Sequence, residues 1–173
     1  MISRRSVLPL LAAGSLAASP LFSACASEKG KESIAIIGTG EVGGTLGIRW
    51  AALGYKIIYG SRTPDAEKVK ALVQETGQDS VAMSPKDAAA QADLILLAVP
   101  WAAAKEMVAG LGDLTGKVII DPTNGVKVTQ GRFEAPPGQT TSDAEEIQAV
   151  APTATVVKAF NTLSAEMMAD HTQ

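Results

Sequence analysis

Apolar residues in this chain arrive in short, nearly continuous runs separated by longer segments rich in Ala, Glu, Lys and Leu. The runs cover residues 34–37, 56–59, 81–83, 94–99, 118–120 and 155–159. A strand covered on both faces has no need of polar alternation, so these runs predict buried parallel strands. The intervening segments 42–53, 65–75, 85–91, 102–110 and 142–150 predict helices, and a further helix-like segment starts near Ser164. Strand and helix in strict turn predict an α/β fold, a doubly wound parallel sheet with right-handed crossovers in a single domain. Residues 125–141, rich in Gly, Pro, Gln and Thr, break the rhythm and are expected to form a long loop on the ligand side of the sheet.

The periodic pattern begins only at Ser33, and what precedes it is of another kind. Residues 1–26 contain no acid, open with Arg4 and Arg5, continue through an apolar stretch, and end in the small residues Ala24-Cys25-Ala26. That ordering is the layout of a signal peptide, and the apolar stretch is too short and too broken by Pro and Gly for a comfortable membrane span. Ser3-Arg4-Arg5-Ser6-Val7-Leu8 resembles the twin-arginine export signal, with Val7 where Phe is usual. Export to the periplasm or another extracytoplasmic space is therefore expected. Two endings compete: cleavage after Ala26, or a lipoprotein box at 21–25 with Cys25 lipidated, the only membrane contact this sequence suggests. Residues 27–32 read as a solvated linker and 33–173 as the folded domain.

Composition narrows the function. The 173 residues are 46% hydrophobic, enough for one good core. Without Arg4 and Arg5 the chain keeps 13 basic against 18 acidic residues, a net of −5, and no basic stripe of the kind a nucleic-acid partner requires. Cys25 is the only cysteine and His171, third from the end, the only histidine, so neither thiol catalysis nor a Cys/His metal cluster is expected. The sequence nominates no catalytic side chain.

The chemistry it does nominate lies at the strand ends. The first strand runs into Gly38-Thr39-Gly40-Glu41-Val42-Gly43, a Gly-x-Gly-x-x-Gly turn placed between a strand and a helix. Gly38 permits the tight turn, Gly40 leaves room for a pyrophosphate, and Gly43 lets helix and strand approach. The amides of Glu41 and Val42 fall at the helix N-terminus, where unpaired donors and the dipole favour phosphate. These features make the sheet a Rossmann-type dinucleotide site. The second strand ends in Gly60-Ser61-Arg62-Thr63. An NAD site carries Asp or Glu there to bind the ribose 2′-hydroxyl; two hydroxyls and a guanidinium suit a 2′-phosphate instead, so NADP(H) is the expected cofactor. The fourth strand ends in Ala98-Val99-Pro100-Trp101, with Pro100 turning the chain out where the middle of the cofactor should pass. Trp101 either packs near the nicotinamide or belongs to the core. Asn124 and Asn161, at two further strand ends, either contact the nicotinamide carboxamide or ribose or serve as turn formers, and Asp121 before its proline can simply cap the turn.

Taken with Ser142-Asp143-Ala144-Glu145 and Val156-Val157-Lys158-Ala159-Phe160-Asn161-Thr162, these motifs resemble the coenzyme F420-dependent NADP oxidoreductase family, which shares the N-terminal domain of pyrroline-5-carboxylate reductases. The last stretch is also similar to the NADPH domain of the STEAP metalloreductases. The resemblance covers Ser33 to about Ala169. It implies phosphate contacts at Thr39 to Val42, 2′-phosphate contacts at Ser61 and Arg62, and nicotinamide-side contacts at Val99, Pro100 and Ala159. Family members often add a basic residue shortly after the arginine; here Pro64-Asp65 intervenes and Lys68 is the nearest. The implied activity is hydride transfer between NADP(H) and a flavin or the deazaflavin F420, a small-molecule redox acceptor, and a homodimer is left open. The family usually continues beyond the Ala-Phe-Asn strand with elements that complete the acceptor side, whereas this chain stops at Gln173. That leaves two alternatives standing: a non-catalytic NADP(H)-binding module, and a small-molecule reductase of the pyrroline-carboxylate type completed by a partner.

Overall fold

The computed structural model describes residues 32–77, 79–129, 132–134, 138 and 140–170. The leader 1–26 with Cys25, and His171, lie outside these residues. In chain order the elements are β1 (Ser33–Ile37), α1 (Glu41–Ala52), β2 (Lys56–Gly60), α2 (Glu67–Thr76), β3 (Val81–Met83), α3 (Pro85–Ala90), β4 (Leu94–Leu97), α4 (Trp101–Ala109), β5 (Val118–Asp121), β6 (Lys127–Thr129), β7 (Arg132–Glu134), α5 (Asp143–Val150), β8 (Thr155–Lys158) and α6 (Ala165–Ala169).

Six of the strands form one parallel sheet in the order β3-β2-β1-β4-β5-β8. This is the strand order of the doubly wound dinucleotide-binding fold, and it reverses direction between β1 and β4. The apolar runs of β1, β2, β4 and β5 are covered on both faces, whereas the edge strands β3 and β8 are partly exposed. Ala35, Ile37, Ile58, Ile95, Leu97 and Ile119 pack under α3, α4 and α5 against Ala88, Ala104, Val108 and Ile147. On the opposite face Ile34, Ile36, Ile57, Tyr59 and Leu96 meet Leu46 and Ala51 of α1 and Met168 of α6. Each Ile, Leu, Val or Met among them contributes about 1.5–3 kcal/mol by leaving water, and a strand covered on both faces gains this at successive positions.

Polar groups drawn into this core are satisfied. Thr76 donates its hydroxyl to Leu72 O at 2.7 Å, so the Tyr59 phenol, 2.8 Å from Thr76 Oγ1, is the donor of that pair. Burial pushes the Tyr59 phenol above its ordinary pKa. Arg49 of α1 donates to the carbonyls of Met168 and, at 2.8 Å, Asp170, satisfying orphan acceptors at the end of α6 with a cation where the helix dipole favours one.

Two departures from the sequence pattern have local causes. Strand β4 ends at Leu97 rather than continuing to Val99, because Ala98 leaves the sheet and Pro100, without an amide donor, takes the N-cap position of α4. The segment expected to be a long loop contains an antiparallel hairpin, β6 with β7, separate from the main sheet. No helix among the described residues is long and apolar enough to cross a membrane.

Candidate functional site

The carboxyl ends of β1 and β4, the pair at which the strand order reverses, open a crevice lined on one side by the glycine turn. Gly38 adopts φ +111°, and a Cβ there would lie 2.1 Å from Ala98 O; its amide donates to Gly60 O at 3.0 Å. Gly43, one turn into α1, leaves 2.2 Å between an added Cβ and Gly38 O, so helix and turn touch through backbone alone. Gly40 differs from both: nothing stands within 4 Å of its Cβ position, which opens into the crevice. Gly40 is the N-cap of α1 and offers no side-chain oxygen to the first-turn amides. The first-turn donors of this 12-residue helix therefore have no side-chain cap, the arrangement that makes a helix N-terminus able to take an anion.

Beside the turn, a cleft of about 240 Å³ is lined by Gly38, Gly40, Ser61, Arg62, Thr63 and Lys68, with Pro85 and Ala98 to Pro100 completing the wall. Ser61 is 8% exposed; its amide donates to Met83 O at 2.9 Å and its Oγ accepts from Thr63 N at 3.2 Å, which fixes the strand end from which Arg62 projects. Two cations and no carboxylate line this cleft. Lys68, set back by the Pro64-Asp65 turn, is brought to the same cleft as Arg62 by the first turn of α2. The cleft continues into two further hollows. One, of about 320 Å³, is lined by the apolar Pro85, Ala103 and Met107 together with Arg62, Ser84, Lys86 and Glu106. The other, of about 400 Å³, runs from Gly40, Glu41 and Val42 past Ala98, Val99 and Pro100 to Pro122 and Thr123.

A larger hollow of about 700 Å³ lies at the opposite end of the sheet, lined by residues such as Glu32, Tyr55, Gln91 and Asp93. It has two carboxylates, no cation and no glycine turn, so its size does not make it a phosphate site.

The remaining nominated residues border this region without lining its hollows. Trp101 opens α4, packs partly buried against the core, and lies under Lys105, whose Nζ is 5.7 Å from the ring centroid and 2.7 Å from Glu146 Oε2. Asn124 donates Nδ2 to Asn161 O at 2.7 Å, so the two residues pin the loops after β5 and β8 to one another. Ala159 N donates to Asp121 O at 3.3 Å. Asp143 of the Ser-Asp-Ala-Glu motif accepts from Gly125 N at 2.6 Å, tying α5 to the same loop. Phe160 turns the chain after β8 with φ +65° and meets Trp50 edge-on at 6.1 Å. Sequence reasoning missed Pro85, Ala103 and Met107, which line the hollows beside Arg62 and carry no chemical signature. Its reading of Asp121 as a turn cap holds, since Asp121 Oδ1 accepts from Thr123 N at 2.9 Å, but it did not foresee the tie from Asp121 to Lys158. The described residues hold no group of His, Cys, Asp and Glu able to take a metal.

A Rossmann domain with a phosphate-binding glycine turn, and with cations where a ribose-binding carboxylate would otherwise stand, defines a dinucleotide-binding protein of the NADP type. The sequence matches the model of the family described as NADP oxidoreductase, coenzyme F420-dependent, over residues 33–125. The chain belongs to that family.

Over 99 residues it is 38% identical to the F420-dependent NADP reductase of Methanothermobacter thermautotrophicus, covering 52% of this chain and 42% of that protein. Metalloreductase STEAP3 of Rattus norvegicus is 29% identical over 134 residues, 76% of this chain and 25% of that one. The chain thus spans less than half the length of these two relatives. Among solved structures, a putative F420-dependent NADP-reductase from Arthrobacter sp. FB24 superposes with a TM-score of 0.69 at 32% identity, over 79% of this chain and 66% of that one. A reductive aminase from Aspergillus terreus, solved with NADPH, shares the fold at 21% identity and a TM-score of 0.53 over 74% of this chain and 39% of its own.

Proposed function

We propose that this protein binds NADP(H) across the carboxyl ends of β2, β1, β4 and β5 and takes part in hydride transfer between that cofactor and a flavin or deazaflavin acceptor. The observation that carries the cofactor assignment is the cleft in which Ser61, Arg62 and Lys68 gather with no carboxylate among its lining residues. A 2′-phosphate there meets a bidentate guanidinium, an ammonium and hydroxyl donors, whereas a bare 2′-hydroxyl leaves two cations unused. Gly40, Glu41 and Val42 hold the pyrophosphate by backbone amides, and Gly40 leaves it the room it needs. Pro85, Ala103 and Met107 cover the adenine, with Arg62 stacked on its face.

The cofactor, when bound, supplies the hydride. The chain's part is to hold the nicotinamide half in the hollow between α1 and Thr123, open to a second planar ring. No general acid is asked of the described residues, because a flavin-type acceptor takes its proton from solvent. The family description and the reductase relatives support the acceptor class.

Two measurements on the full chain test this. NADPH should bind more tightly than NADH, and Arg62→Ala should cost NADPH selectively about 1.5–3 kcal/mol, the range for a hydrogen bond to a charged group. Equal affinity for the two cofactors in the wild type sinks the phosphate-site assignment. Loss of NADPH fluorescence on mixing with F420 or a free flavin is the expected sign of turnover. Tight NADPH binding without oxidation by either acceptor favours the binding-module alternative.

A further inference from the structure

The loop leaving β5 is held by a cluster outside the nominated site. Asp121 is fully buried, and its Oδ1 accepts from Thr123 N at 2.9 Å and from Thr123 Oγ1 at 2.6 Å. Its other oxygen accepts from Lys158 Nζ at 2.9 Å, and the same ammonium donates to Thr123 O at 2.5 Å. Two hydrogen bonds within the loop and two from Lys158 across the β5–β8 pair thus clamp the three residues Asp121, Pro122 and Thr123.

The clamp has a chemical consequence. A carboxylate paired with an ammonium only accepts, so the Thr123 hydroxyl must spend its single proton on Asp121. What Thr123 has left is acceptor capacity, on a residue that lines the hollow facing the N-terminus of α1. That hollow is the end of the crevice away from Arg62. A dinucleotide whose 2′-phosphate lies at Arg62 carries its nicotinamide there, and the carboxamide amino group of that ring is an N–H donor in need of an acceptor. Asn124, the more obvious choice from sequence, donates Nδ2 to Asn161 O and does not line this hollow, whereas Thr123 does.

We propose that Thr123 is a further cofactor-binding residue, an acceptor fixed by Asp121 and Lys158 that receives the amino N–H of the nicotinamide carboxamide. This rests on the NADP(H) reading above and goes beyond it by naming the group that recognises the reactive end.

Three probes on the full chain separate the two claims: NADPH, its 3-acetylpyridine analogue, in which a methyl replaces the carboxamide amino group, and 2′,5′-ADP, which carries the adenosine end alone. The wild type and Thr123→Ser should bind NADPH about tenfold more tightly than the analogue, the size of one good hydrogen bond. Thr123→Val should bind both within about twofold of one another, and all three proteins should bind 2′,5′-ADP alike, which also reports that each is folded. A wild type that does not distinguish NADPH from the analogue overturns the proposal without any variant. So does a Thr123→Val protein that keeps the preference, or one that loses 2′,5′-ADP and NADPH in equal measure. Failure of the wild type to bind 2′,5′-ADP overturns the cofactor reading itself, and this inference with it.

Discussion

Glycines two positions apart do opposite work in the turn after β1. Gly38 is held at φ +111° with a backbone carbonyl 2.1 Å from where a Cβ would sit, whereas Gly40 has an ordinary φ of −83° and open space around it. The first glycine is demanded by the fold, the second by the ligand, and substitution should separate these demands. Gly38→Ala should lower stability by about 3 kcal/mol or more, combining left-handed backbone strain with a contact to Ala98 O that cannot yield. Gly40→Ala should leave the urea midpoint close to wild type and weaken NADPH binding by at least tenfold, because its methyl occupies the space kept for pyrophosphate. A Gly40→Ala protein that unfolds as readily as Gly38→Ala would mean the turn, and not the phosphate, requires that glycine. The Gly-x-Gly-x-x-Gly string already divides these roles between the two positions; what it does not contain is the cause at Gly38, the Ala98 carbonyl lying across from it.

Secondary structure was legible wherever burial dictated it. Strand β3 (Val81–Met83) agrees end to end, and the other main-sheet strands differ from expectation by two residues or fewer. Both faces of β1, β2, β4 and β5 are covered and apolar runs mark their length, while at the partly exposed edges β3 and β8 the β-branched Val and Thr residues mark it. The hairpin of β6 and β7 was not legible: Lys-Val-Thr and Arg-Phe-Glu are three-residue strands, too short to display a period. Nor was the Asp121–Lys158 pair, 37 residues apart, since local spacing carries no record of which strands become neighbours. The Ser142-Asp143-Ala144-Glu145 motif, noticed first for its family resemblance, has a local physical account. Ser142 Oγ accepts from Glu145 N, the Glu145 carboxylate accepts from Ser142 N at 2.6 Å, and the two form a capping box at the start of α5. The bonds from the Ser142 backbone, then its hydroxyl, hold the Glu145 carboxyl below its ordinary pKa. A folded-state pKa lowered in this way contributes stability that is present above the unfolded value and lost as pH falls through the folded one. Glu145→Gln should therefore flatten the acid side of the stability curve, measured as urea midpoints over that window. Asp113, lowered in the same sense by Thr115, leaves a residual slope in the variant. An unchanged acid limb in Glu145→Gln would remove the capping box from the account. Ser142→Ala should cost about 1 kcal/mol at neutral pH.

At the scale of the whole molecule, the crevice is the seam between two halves of one sheet. The β1–β2–β3 half supplies Ser61 and Arg62 and the β4–β5–β8 half supplies Pro100, Pro122 and Thr123, with the Gly38–Gly43 turn lying across the join. A ligand spanning that seam binds only when both halves are folded together, so its binding free energy adds to the stability of the entire domain. At a hundredfold excess over its dissociation constant NADPH should add about 2.7 kcal/mol. For a domain of this length that corresponds to a rise in Tm of roughly 8–13 °C in a single cooperative transition. At the same concentration NADH should raise Tm less, because it forfeits the contacts of its missing phosphate with Arg62 and Lys68. 2′,5′-ADP should also give a smaller rise, since it reaches only the β2 side of the seam. Two transitions, of which NADPH moved one alone, would show that the halves unfold separately and that the crevice does not join them. A single transition raised equally by NADPH and 2′,5′-ADP would show that the nicotinamide half adds nothing to binding, and would place all recognition at Arg62, Lys68 and the glycine turn.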